Sequence, residues 1–550
     1  MGDPLKSIST RAVPQSERAK AAQIRGAAGG ACLRASDVQR MRRFLAVGAD
    51  GGTYYAPPLE LSKWNARVVV RTAHLELPAL IDGIAQASER APRRGPALFA
   101  LAIAAAEADP DRREYVLRHL PMVARTGSDL FQFVDYARRF RSWGRALRTA
   151  VGNWYLDKPL DDLAYQMVKY RHWEGWTHRD LLRLAHPRGA EPERAALFDW
   201  ACGREVRGEL PGVAEAYQRV QRLGGGGGSK AVRQMVGILE DHTGMPWEAL
   251  PDWALESASV WGVLLEQGIP QTALMRQLPA LTKLGLARGR SGRAIAQQLA
   301  DPGRLSAARV HPISALAAMK TYASGRGARG ESTWRPSRLV VDALDQAFYA
   351  AFGAVEPTGR RLCFALDVSE SMTAPVAGFP LSAREASVAM ALVTAATEED
   401  SEIVAFTRGR AGPAWSPAWP GRIVTGPGFA LSRLAVSPRQ RLEDVIRQIR
   451  QLPRGATDCA LPMLWAAAEG LEFDAFVIYT DNQTWIGPVH PYEALQRYRE
   501  KMGIAAKLVV VALTPHAGGI ADPTDPGTLD VAGFDAAVPT VISDFIRGDI

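Results

Sequence analysis

Leu-Cys-Phe-Ala-Leu-Asp-Val-Ser-Glu-Ser-Met, residues 362–372, is the stretch that decides the fold. Leu362–Leu366 form an unbroken apolar run that opens into a loop carrying Asp367, Ser369 and Ser371. A continuous rather than alternating run marks a strand buried on both faces, as in a parallel sheet covered by helices. A second run, Phe-Val-Ile-Tyr-Thr-Asp-Asn (476–482), ends the same way at Asp481. Between them, Gly-Ala-Thr-Asp-Cys-Ala-Leu-Pro-Met (455–463) sets Thr457 before an apolar segment. Asp and Ser also favour plain strand-to-loop turns, because they bond local backbone. The triplet alone therefore does not separate a turn from a site.

Periodicity extends the pattern through the C-terminal part. Arg384–Glu399 reads as a helix, Glu402–Thr407 as a strand and Leu442–Leu452 as a helix. Thr457–Leu471 reads as a further helix with Thr457 at its N-cap. Asp474–Thr480 is a strand, Tyr492–Met502 a helix and Lys507–Leu513 a buried strand. Such alternation predicts a doubly wound, mostly parallel α/β sheet over residues 356–550. In sheets of this kind ligands sit outside the carboxyl ends of the strands, where Asp367 and Asp481 fall.

The Asp-x-Ser-x-Ser loop resembles the metal-ion-dependent adhesion site of von Willebrand factor A modules. The resemblance implies a ligand set of Asp367, Ser369 and Ser371 joined by Thr457 and Asp481 from two later loops. Short hydroxyl and carboxylate side chains suit a hard cation that takes oxygen ligands and keeps some waters, most simply Mg²⁺.

Residues 1–355 have a different character. Amphipathic helical segments recur, among them Ala97–Ala106, Ser128–Phe140, Asp161–Tyr170, Arg179–Ala185, Ala231–Asp241 and Thr272–Leu278. So many helices without a coiled-coil heptad suggest paired helices stacked as HEAT-like repeats. The organisation expected is a flexible N-terminus (1–25), a helical repeat domain (26–355) and the α/β domain (356–550). Gly224–Gly228 and the basic Gly-Arg-Gly-Ala-Arg-Gly at 325–330 read as loops; neither has the context of a phosphate loop.

Charge divides between the parts. The 550-residue chain carries a formal +8; residues 356–550 hold 17 Lys/Arg against 23 Asp/Glu, leaving 49 against 35 for residues 1–355. A helical scaffold with a net +14 points to a polyanion, and nucleic acid rewards clustered Arg and Lys by counterion release. Arg179, Arg183 and His186 fall on one face of a helix whose other face is leucine-rich, and Thr177 with Asp180 forms a capping-box-like start. Lys169, Arg171, His172, Trp173 and Trp176 precede it, and Arg145 and Arg148 lie upstream. Interleaved cations and indoles can offer phosphate contacts and stacking together.

Four cysteines (Cys32, Cys202, Cys363, Cys459) lie far apart, which indicates neither a zinc site nor a disulfide framework and suggests a reducing, cytoplasmic setting. Residues 1–25 lack the apolar core of a secretory signal, and no run approaches 18 apolar residues, so no membrane partner is expected. The nine histidines form no metalloprotease motif, and two aspartates are too few for a two-metal nuclease.

Longer motifs carry a resemblance over almost the whole chain. Gly-Gly-Thr-Tyr-Tyr (51–55), Gly-Arg-Ala-Leu-Arg (144–148), Gly-Trp-Thr-His-Arg-Asp-Leu-Leu-Arg-Leu-Ala-His (175–186), Arg-Val-His-Pro (309–312) and Tyr-Thr-Asp-Asn-Gln-Thr-Trp (479–485) are similar to those of the Ro autoantigen, or TROVE-domain, family. The resemblance implies a ring of HEAT-like repeats closed by a von Willebrand A module. It further implies binding of small noncoding Y-like RNA on the basic outer face and of single-stranded ends of misfolded RNA in the ring. For a bacterial member it implies a role in noncoding RNA quality control with the exoribonuclease polynucleotide phosphorylase. Lys169 and His186 match family positions implicated in Y RNA binding, whereas Trp173 stands where animal members carry Arg. The expectation is a monomeric, non-enzymatic RNA-binding scaffold. Its alternatives are a metal-dependent protein-interaction adaptor without RNA and a metal-dependent nuclease.

Overall fold

The computed structural model describes residues 13–15, 17–19, 21, 23–25, 31–33, 37, 41, 44–45, 58–90, 94–188, 191–224, 228–327, 332–376, 380–408, 429–437, 439–452, 457–481, 487, 489–513, 520–522, 525–532 and 538–548. They form two compact units. One is helical, Ala66–Val310 with Thr321–Ala350; the other gathers Met1–Asn65, His311–Lys320 and Ala351–Ile550.

All six helices expected in the N-terminal part are present, most of them longer by a few residues. Gly95–Glu107 is rich in alanine, buries Ala97–Ala105 almost completely except Phe99, and packs against Gly127–Phe140. The latter starts at a capping box in which Thr126 Oγ1 accepts from Asp129 N (3.2 Å) and Asp129 Oδ2 from Thr126 N (2.9 Å). The segment expected at Thr272–Leu278 belongs to a longer helix, Gln271–Lys283, which runs through Pro279. Burial of Leu274, Leu278 and Leu281 on one face outweighs the single backbone bond that Pro279 forfeits.

His178 is buried in this unit, against Phe131 (4.7 Å between ring centroids), Tyr155 and Trp154. Its Nδ1 shares a 2.8 Å hydrogen bond with the Tyr155 hydroxyl. Burial lowers its pKa to about 4, an effect the backbone of Tyr170 and Gln166 partly offsets. Between about pH 6.5 and pH 4 the unfolded chain binds a proton that the folded chain refuses, so stability falls as pH falls through that window. At 1.36 kcal/mol per pKa unit the loss approaches about 3 kcal/mol, read as a drop in unfolding midpoint from pH 7 to pH 4. His178→Leu flattens that part of the slope; an unchanged slope refutes the assignment.

The second unit is built on a six-stranded sheet: β1 (Leu362–Asp367), β2 (Ser401–Arg408), β3 (Phe429–Arg433), β4 (Ala475–Thr480), β5 (Lys507–Ala512) and β6 (Thr528–Ala532). Their spatial order is β6-β5-β4-β1-β2-β3, parallel throughout except for the antiparallel edge strand β3. β1 and β4 are buried along their full length, in keeping with their unalternating sequences. Cys363, Ala365, Phe476, Ile478, Leu508 and Val510 contribute to one core with Trp465 and Tyr498. The order reverses between β1 and β4, which puts the topological switch point at Asp367 and Asp481.

Two readings change here. Thr457 is not an N-cap: the helix is Leu461–Glu469, with Ala460 at the cap and Pro462 in its first turn. The Thr457 hydroxyl is instead committed to Asp367. Residues 13–25, read as flexible, include Gln15 and Gln23, both buried. Gln15 Nε2 donates to Asp458 Oδ1 (2.8 Å) and to the Val489 carbonyl (2.8 Å), and Gln23 Nε2 lies 3.3 Å from His490 Nδ1. Strands β3 and β6 and the closing helix Val538–Arg547 were not apparent in the sequence. No helix among the described residues is long and apolar enough to cross a membrane.

Candidate functional site

At the carboxyl ends of β1 and β4, Asp367, Ser369 and Ser371 meet Thr457 from the loop before the helix Leu461–Glu469, and the Thr480 hydroxyl, 3.5 Å from Asp481 Oδ1, links the fifth expected residue to the set. Leu366 pairs with Tyr479 across the two strands, so Asp367 emerges beside Thr480 and Asp481. Asp367 Oδ2 accepts from the hydroxyls of Thr457 (3.0 Å) and Thr480 (2.9 Å), and its Oδ1 from the Ser369 backbone N–H (2.8 Å). The Ser369 and Ser371 hydroxyls are 3.0 Å apart. Asp367, Ser369, Thr457 and Asp481 are buried, whereas Ser371 is exposed and leaves the set open on one side. Thr480 was not foreseen; it read as the last residue of a strand. Arg384 was also missed: buried on the helix Ala383–Thr397, it donates to the Ser369 carbonyl (3.0 Å) and fixes the loop.

Burial, and then the charge of Asp481, raises the pKa of Asp367 to about 6, while hydrogen bonds from Ser369 and Thr480 pull it down. The two buried carboxylates together with the hydroxyls of Ser369, Ser371 and Thr457 offer oxygen ligands of the kind a hard divalent cation takes. No group of three or more His, Cys, Asp or Glu side chains converges among the described residues, so any cation here must rely on hydroxyls as well as carboxylates.

On the helical unit, the helix His178–Ala185 opens on a complete capping box between Thr177 and Asp180. Arg179, Arg183 and His186 are all exposed, while Leu181, Leu182 and Ala185 are buried. His186 stands just past the helix in the left-handed conformation (φ 49°), which ends it. The helix Arg145–Asp157 packs against this one, and its Arg145 and Arg148 are exposed as well.

Lys169 is placed differently. Its side chain is only 15% exposed, pairs with Glu248 (3.6 Å), contacts the Tyr165 hydroxyl (3.3 Å) and lies over the Tyr165 and Tyr170 rings. Arg171 likewise donates to the Tyr217 hydroxyl and the Glu248 carbonyl. These two cations brace the fold more than they face solvent. Between them and Arg179 lies a hairpin, His172–Trp173 with Trp176–Thr177, absent from the sequence reading. Glu174 (φ 45°) and Gly175 (φ 84°) turn it in the mirror-image geometry that tight hairpins favour. Trp176 is half-buried, with the Arg138 guanidinium 5.2 Å from its ring centre.

Comparison with known proteins agrees with this arrangement. The TROVE domain model matches residues 24–221 and 241–321, and the Ro60 vWA domain model matches 361–546. The RNA-binding protein RO60 of Deinococcus radiodurans is 37% identical over the whole of both chains. That of Caenorhabditis elegans is 33% identical over 98% of this chain and 92% of its own. The crystal structure of the Deinococcus radiodurans Ro protein superposes with a TM-score of 0.75 at 36% identity, covering 94% of this chain and 100% of that one. A helical part carrying the TROVE motifs, followed by a doubly wound domain of the von Willebrand A type, makes this chain a member of the TROVE-domain Ro60 family.

Proposed function

We propose that the chain is a non-enzymatic RNA-binding scaffold in noncoding RNA quality control. It binds a small Y-like RNA and the single-stranded ends of misfolded or structured RNA, and hands RNA to an exoribonuclease such as polynucleotide phosphorylase in the cytoplasm. The observation that carries this reading is the exposed cationic set of Arg179, Arg183 and His186, with Arg145 and Arg148 on the helix packed against it. The names of the relatives as RNA-binding proteins support it. Gel-shift titration at two salt concentrations, with a structured RNA bearing a single-stranded 3′ tail and the same RNA without it, tests the proposal. Tight, salt-sensitive binding without cleavage is expected. Absence of binding at low salt defeats it and leaves a protein adaptor.

The α/β domain would hold Mg²⁺ through Asp367, Ser369, Ser371, Thr457 and Asp481. Bound there, the ion would supply a positive charge able to receive an acidic group of a protein partner. Arg384 and Thr480 hold the loop and the Asp367 carboxylate in place. A ligand present at about a hundred times its dissociation constant stabilises by about 2.7 kcal/mol. Millimolar Mg²⁺ is therefore expected to raise the melting temperature of the wild type and not that of Asp367→Ala. Equal shifts in both would place the ion elsewhere.

A further inference from the structure

Elsewhere on the helical unit, the helices Gly95–Glu107, Pro110–Leu117, Gly127–Phe140 and Arg145–Asp157 border a groove of about 650 Å³. Its floor is aliphatic, with Ala105, Leu117 and Ala150 among its residues, and its lining includes Arg113, Arg118, Arg141 and Arg145 against only Glu114 and Asp157. The arginines fall into two kinds. Arg113 Nε donates to the Ala105 carbonyl (2.9 Å) and Arg141 Nη1 to the Ala106 carbonyl (3.3 Å), so both are held at the C-terminal end of one helix despite their like charge. Burial and then the charge of Arg141 lower the pKa of Arg113, which shows the proximity of the two cations. Arg118 and Arg145 are exposed, and neither takes part in an ion pair among the described residues.

The volume lies in the range of sites that enclose an organic ligand and is far larger than a single phosphate needs. An aliphatic floor beneath a cationic rim asks for a ligand that is apolar on one side and repeatedly anionic on the other. Single-stranded RNA meets this description, because its unstacked bases are free to leave the strand. A duplex presents phosphates and hydroxyls but keeps its base faces stacked inside. We infer that the groove seats a single-stranded RNA segment, with phosphates on Arg118, Arg141 and Arg145 and with sugars and bases against Ala105, Leu117 and Ala150. The inference rests on the RNA-binding reading and assigns part of it to a second surface. Arg145 lies on the helix that also packs against His178–Ala185, so one RNA can engage both surfaces.

Fluorescence anisotropy on the full-length protein separates the two claims. The probes are a labelled twelve-nucleotide oligouridylate and a blunt-ended RNA hairpin, each at two salt concentrations. Arg118→Glu removes an exposed cation, and Ala150→Phe fills the floor without changing charge. Each is expected to weaken oligouridylate binding about tenfold, with Arg118→Glu also lowering the salt slope by about 0.7. Hairpin affinity is expected to stay within about twofold in both variants and to fall in Arg179→Glu/Arg183→Glu. Oligouridylate binding that is equal in wild type and both variants overturns the groove assignment, and an intact hairpin interaction then leaves the RNA-binding reading standing. Competition by oligoglutamate as effective as by unlabelled oligouridylate also overturns it, in favour of an acidic peptide. If neither RNA binds the wild type, both readings fall together.

Discussion

Arg179→Glu with Arg183→Glu is expected to lower the affinity for a structured RNA about 100- to 1000-fold at 0.15 M salt. Both side chains are exposed one helical turn apart, and none of the ion pairs among the described residues includes them. Each phosphate contact contributes about 0.9 to the salt slope with duplex nucleic acid, which is about 1 kcal/mol between 1 M and 0.15 M salt. Reversal removes that attraction and adds a comparable repulsion, so two reversals sum to roughly 3 to 4 kcal/mol. Titrations at 0.05, 0.15 and 0.3 M salt should show the slope reduced by about three, because the added repulsion is screened by salt as the lost attraction was. The helix itself should survive, since its buried face and its capping box do not involve these arginines. An unchanged affinity with an unchanged slope would remove this face from the RNA contact.

Trp154→Ala is expected to cost the helical unit about 4 to 6 kcal/mol. The indole is fully buried, its Nε1 donates to the Ala124 carbonyl (2.6 Å), and it contacts Tyr155 while Lys158 Nζ lies 4.6 Å from its centre. Truncating a buried Trp or Phe typically costs about 3 to 5 kcal/mol through lost transfer energy and the cavity left behind. The Ala124 carbonyl then loses its donor, which adds about 1 kcal/mol or more. Denaturant unfolding checks this; a loss below about 2 kcal/mol would mean that the surrounding helices collapse onto the gap. Because Trp154 sits on the helix that carries Arg145 and Arg148, RNA affinity should fall together with stability, whereas Arg179→Glu/Arg183→Glu lowers affinity and leaves stability in place. Trp154→Phe restores most of the packing without the N–H, and its residual deficit isolates the hydrogen bond.

What was legible in the sequence follows the range of the interaction that each residue serves. β1 and β4 were readable because burial on both faces writes itself into consecutive apolar residues. Asp367 and Asp481 were readable because they end those runs. The helix at 178–185 announced itself through Thr177 and Asp180, three residues apart, and its exposed arginines followed from its leucine face. Thr480 was invisible because a threonine at the end of a strand needs no further explanation until Asp367 is seen beside it. The bracing contacts of Lys169 were hidden because its partner Glu248 lies on a distant part of the chain. The hairpin at 172–177 left only Gly175 as a sign, and a single glycine does not specify a turn. Strand β6 is short and depends on pairing with β5 for its register.

Gln15 bonds Asp458 across a sequence separation of 443 residues. On the ribosome, at about 5 to 20 residues per second, the partner of Gln15 emerges roughly 20 to 90 seconds after Gln15 does. Throughout that interval the helical unit can fold while the N-terminal segment waits in solvent, open to proteases and chaperones. Closing so long a loop adds entropic cost slowly with length, but it cannot begin before Asp458 has been made. The C-terminal unit is thus among the first parts of the chain to be synthesised and the last to be completed.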